Sequence, residues 1–68
     1  MTIRREMYGK YGLAVRDPAN GKFFLAWGCV GPTSGQNPID EPAECWFNFG
    51  TTAEKALQNL RDELGALQ

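Results

Sequence analysis

The sequence has no histidine and only two cysteines among its 68 residues, and no apolar run nears the roughly 18 residues a membrane span needs. Without imidazole, the usual carrier of proton transfer near neutral pH is missing, as are the common zinc and iron ligand sets. Enzyme chemistry is therefore not expected, nor is a cofactor or metal, nor a membrane partner. Cys29 and Cys45 are too far apart for a CxxC redox pair and too few for a four-ligand zinc site. Two thiols packed in or beside a small core outweigh a disulfide, and a reactive nucleophile comes last for want of an activating base. Met1 to Glu6 are charged with no apolar stretch behind them, unlike a secretory signal, so a cytoplasmic location is expected.

What is present fits a single folded domain over residues 1–68, with 43% hydrophobic residues. A chain this short buries only about 60% of the surface its unfolded form exposes, so two Trp, two Tyr and four Phe carry unusual weight. The net charge of −1 hides an asymmetry. Arg4, Arg5, Lys10, Arg16 and Lys22 make residues 1–22 basic, whereas Asp40, Glu41, Glu44, Glu54, Asp62 and Glu63 make the remainder acidic. The two halves either complement each other within one body or meet different partners.

Tyr11, Leu13 and Val15 alternate with smaller or polar residues, the period of a half-buried strand that begins near Ile3. Asp17-Pro18-Ala19-Asn20-Gly21-Lys22 reads as a hairpin turn, and Phe23 to Val30 as the returning strand. Residues 31–43, with Pro32, Pro38 and Pro42, form a long loop of the kind that either binds or merely connects. Cys45, Phe47 and Phe49 alternate on a third strand. Thr51 and Glu54 fit a capping box opening a helix, whose apolar stripe is Ala53, Ala56, Leu57, Leu60, Leu64 and Leu67. The expected fold is α+β: a three-stranded antiparallel β-β-β meander (strands about 3–16, 23–30 and 44–49) with one C-terminal helix, about 52–66, packed on one face.

One helix covers one face of a sheet, yet adjacent rings such as Phe23-Phe24 and Trp46-Phe47 point to opposite faces. An unbulged turn sets Phe24 beside Val15; a bulge sets Tyr11, Leu13, Val15, Leu25, Trp27, Phe47 and Phe49 against the helix. The bulge is favoured because it encloses the bulkier set, leaving Tyr8, Phe24 and Trp46 on the open face with Lys10 and Arg16. These five, together with a loop patch of Asp40, Glu41 and Glu44, are the candidate partner-binding residues. An aromatic open face serves self-association, docking of another protein, or stacking of single-stranded nucleic acid. Protein contact, including a homodimer, is favoured over nucleic acid because cations are few.

The passage Gly50-Thr51-Thr52-Ala53-Glu54-Lys55-Ala56-Leu57 resembles the strand-to-helix segment of HicB-like antitoxins, with Gly50, Thr52, Glu54, Ala56 and Leu57 on the family's pattern. Tyr11 to Val15, the Asn20-Gly21 turn and Phe23 to Leu25 look like the same fold's first hairpin. Lys55 departs from the pattern, as does the longer, proline-rich loop. The resemblance implies a non-enzymatic protein that covers and neutralises a partner protein, or a phage- or plasmid-borne inhibitor acting likewise. Operator binding is not expected, since these residues contain no ribbon-helix-helix or helix-turn-helix pattern.

Overall fold

The structure, a computed structural model, describes residues 3–19, 21–31, 38 and 44–67. Four strands, β1 (Ile3–Tyr8), β2 (Tyr11–Arg16), β3 (Phe24–Val30) and β4 (Glu44–Gly50), precede one helix, α1 (Ala53–Ala66). The strands form one antiparallel sheet in chain order, β1-β2-β3-β4. The expected three-stranded meander is thus corrected to four strands.

The expected first strand folds back on itself at Gly9-Lys10. Gly9 has φ 60° and, among the described residues, no non-glycine residue has positive φ, the pattern of a turn whose first central residue alone is left-handed. That turn sets Tyr8 opposite Tyr11 in a two-residue hairpin. Most of the loop 31–43, with Asp40 and Glu41, lies outside the described residues.

The second hairpin pairs Arg16 with Leu25 and Val15 with Ala26. Ala26 and Gly28 therefore share a face with Leu13 and Val15, while Leu25 and Trp27 share the other with Ala14 and Arg16. This reverses the favoured arrangement, and the reason is steric. The helix crosses β3 over its smallest residues: a methyl added at Gly28 would lie 2.8 Å from Leu13 Cδ2, 3.1 Å from Leu64 Cδ1 and 3.3 Å from Leu60 Cδ2. A row of Leu25 and Trp27 in that position would hold the helix off the sheet. Bulk is arranged around this close approach instead, with Tyr8, Phe24, Val30 and Trp46 packed against a core of Tyr11, Leu13, Val15, Ala26, Ala56, Leu57, Leu60 and Leu64. The Trp46 ring meets Tyr11 edge to face, centroids 5.5 Å apart.

The start of α1 shows why its sequence is what it is. Thr52, not Thr51, is the N-cap, its hydroxyl accepting from the Lys55 N–H at 3.0 Å. Glu54 consequently sits one position short of closing a capping box and turns to β1. Gly50 is needed because a methyl there would meet the Ala56 nitrogen at 2.4 Å. At the far end Leu67 leaves the expected stripe and is exposed. The helix is tied to the edge strand β1 through charge: Arg4 donates to Glu54 at 3.0 Å and to Glu6 at 3.4 Å, and Arg61 donates to Glu6 and, at 3.2 Å, to Glu54. The Arg61 and Arg4 guanidiniums hold the Glu54 carboxyl below its ordinary range, and Glu6 raises Arg61 further.

Candidate functional site

The face away from the helix can be read as three rows running across all four strands in register. They are Met7-Gly12-Cys29-Cys45, Arg5-Ala14-Trp27-Phe47 and Ile3-Arg16-Leu25-Phe49. Directly opposed residues of this kind sit about 4.5–5.5 Å apart at Cβ, so the second and third rows are continuous strips of side chains, and the first is interrupted at Gly12. Ala14 is fully buried although nothing from the helix reaches it, as expected for a small residue flanked in its row by Arg5 and Trp27.

Apolar exposure concentrates here. Phe47 is 60% exposed, Phe49 58%, Met7 58% and Ile3 47%, with Leu25 and Trp27 half-buried between them. Monomeric proteins seldom present so many large apolar side chains on one continuous face without using it. Charge is also sorted. The strand positions of this face carry Arg5 and Arg16 and no acid, whereas Glu6 and Glu44 occupy the helix side of the sheet, and Glu54, Asp62 and Glu63 the helix itself. One end of the face sinks into a cavity of about 150 Å³ whose lining includes Arg16, Asp17, Phe23, Leu25 and Phe49.

At the other end Cys29 and Cys45 face each other in register, with Cα atoms 4.2 Å apart, and are joined as a disulfide. This corrects the expectation of two packed thiols. The spacing is near that of the close, non-hydrogen-bonded pair of an antiparallel ladder. Among the described residues no group of three or more Cys, Asp or Glu side chains is arranged to hold a metal ion. No helix among them is long and apolar enough to cross a membrane.

Among the described residues, the candidates from the sequence fall in four places. Tyr8, Phe24 and Trp46, expected on the open face, are partly buried beneath the helix against the core. Lys10 is at the tip of the first hairpin, its ammonium 5.7 Å from the Tyr11 ring centre, and Glu44 is exposed at the start of β4. Arg16 is the one of them at a strand position of the open face. The rings that do occupy that face, Trp27, Phe47 and Phe49, were expected inside. The signal that identifies them is the alternation of Leu25 and Trp27 with Ala26 and Gly28, since a helix approaches the smaller side of a strand.

Comparison with protein-family models, with curated proteins and with solved structures found no match. Locally, each residue on the HicB-like pattern serves the fold in its own way. Gly50 admits the helix start, Thr52 caps it, Glu54 joins the ion ring, and Ala56 and Leu57 are buried.

Proposed function

We propose that this protein is a non-enzymatic interaction module that docks a partner protein on its open sheet face and, by covering that partner, inhibits or neutralises it. The observation behind this proposal is the strip of exposed Phe47, Phe49, Met7 and Ile3 around Trp27 and Leu25, on a face that carries no acid at any strand position. The antitoxin-like resemblance of residues 50–60 and the lack of histidine agree with it.

Two arguments favour a protein over a single-stranded nucleic acid. The face offers Arg5 and Arg16 as its strand-borne cations, and a salt slope of about −0.7 per neutralised phosphate then supplies little electrostatic affinity. Its apolar area, by contrast, suits a partner's hydrophobic patch. A second copy of the chain is the competing occupant. Stacked face to face, two copies would bring both Arg16 guanidiniums onto one interface whose strand positions carry no acid, which is costly.

The cytoplasm is the location we propose, where the disulfide seen between Cys29 and Cys45 would meet reducing conditions. The test of function is affinity capture followed by reconstitution with the purified partner. Phe47→Asp and Phe49→Asp should each weaken the complex by about 2 kcal/mol or more, as central aromatic anchors do. Lys55→Ala, on the exposed helix face, should leave it unchanged. Capture of the same partner with undiminished affinity by both Phe variants would end this proposal.

A further inference from the structure

The cavity at the Arg16 end of the open face is an open recess lined by charged as well as apolar side chains. Its volume, about 150 Å³, is that of an apolar cavity able to take a benzene ring. Phe23, Leu25 and Phe49 supply apolar wall. Arg16 is half-buried at this wall and, among the described residues, makes no hydrogen bond or ion pair. A guanidinium in that position has lost part of its hydration with no acceptor among the described residues in return, and its planar fork matches a carboxylate. Asp17, the other charged group lining the cavity, is exposed.

Resting on the docking role above, we propose that this cavity receives one large apolar side chain of the partner protein, aromatic by preference, with a neighbouring carboxylate of the partner held by Arg16. The recognised unit is therefore an aromatic residue beside an acidic group. It confers register and specificity on a face that is otherwise broadly apolar.

N-acetylphenylalanine, which carries both features, is the probe, and its amide, which lacks the carboxylate, is the control. Titrated into the ¹⁵N-labelled protein, N-acetylphenylalanine should shift the amides of Arg16, Phe23, Leu25 and Phe49 first, and the amide probe should bind roughly tenfold more weakly, the value of one charge-assisted hydrogen bond. Arg16→Gln should bring the two probes to equal affinity. Arg16→Lys, which keeps the charge but not the fork, should retain part of the difference, and the spectrum of each variant reports its fold. Equal affinity of acid and amide for the wild type, or shifts centred elsewhere, would overturn the proposal. So would an oligothymidine that competes for the same amides more strongly than N-acetylphenylalanine, or perturbation that tracks protein concentration alone, the sign of a second copy in the cavity. If the probes fail while Phe47→Asp still abolishes partner capture, the docking role survives and this inference does not.

Discussion

Gly28 tests whether the helix is seated where the core requires. In a strand, replacing glycine by alanine ordinarily gains about 0.5–1 kcal/mol, because the chain loses less freedom on folding. Here the new methyl would lie 2.8 Å from Leu13 Cδ2 and within 3.3 Å of both Leu64 and Leu60. Those are side-chain tips that can give way, and overpacking of this kind costs about 1–3 kcal/mol. At mid-range the steric cost exceeds the entropic gain, leaving a net loss centred near 1 kcal/mol within a span of roughly 0–2.5 kcal/mol. For a domain of this size that lowers the melting temperature by a few degrees to about 15 °C. Gly50→Ala should be worse, because its methyl meets the Ala56 nitrogen at 2.4 Å and its Cα at 2.8 Å, and helix backbone cannot step aside as a side chain can. Thermal melts followed by circular dichroism rank the two. A Gly28→Ala protein as stable as wild type or more so would refute the close approach of α1 over β3.

Other expectations follow from the same contacts. Thr52→Ala should cost about 1 kcal/mol in urea denaturation, while Thr51→Ala, one residue ahead of the cap, should fall within about 0.5 kcal/mol of wild type; a reversed order would move the cap. Reducing the Cys29–Cys45 bridge, which closes a separation of 16 residues, should remove about 3 kcal/mol by the loop-entropy relation, and an unchanged urea midpoint in reductant would show that the bridge does not restrain the unfolded chain. The Glu54 carboxyl is held below its ordinary value of 4.5 by Arg61 and Arg4, so its stabilising contribution is complete above that pH and is lost as pH falls through the lowered value. Acid melts of wild type and Glu54→Gln should therefore converge at low pH; parallel curves down to pH 2 would contradict the ion ring.

The helix, its stripe through Leu64 and the alternation of β2 and β4 are legible in the sequence because each is a local period. The Gly9 turn is equally local but is hidden: Tyr8-Gly9-Lys10-Tyr11 is glycine-led turn chemistry between two strand-forming aromatics, and the strand pattern on either side obscures it. Which face of β3 and β4 meets the helix is not local. Leu25, Trp27, Phe47 and Phe49 form the bulkier alternation, and burying bulk is a sound rule when a core has room. With one helix and a small sheet the closest approach decides, and it selects Ala26 and Gly28. Reversing that parity exchanges Tyr8, Phe24 and Trp46 for Trp27, Phe47 and Phe49 as the exposed set, while the conclusion that rings remain outside the core does not depend on it. The partnership of Cys29 with Cys45 rests on the β3–β4 register, which no turn signal between them specifies.

Adjacent residues on β4 provide the most direct test of the open aromatic face. Trp46 packs against the core beneath the helix, whereas its neighbour Phe47 is 60% exposed on the other side. Alanine at each position, with unfolding free energy measured in urea, separates the two. Trp46→Ala should lose about 2 kcal/mol or more and Phe47→Ala less than about 1 kcal/mol. The reverse order would place Phe47 in the core and leave the proposed docking face without its rings.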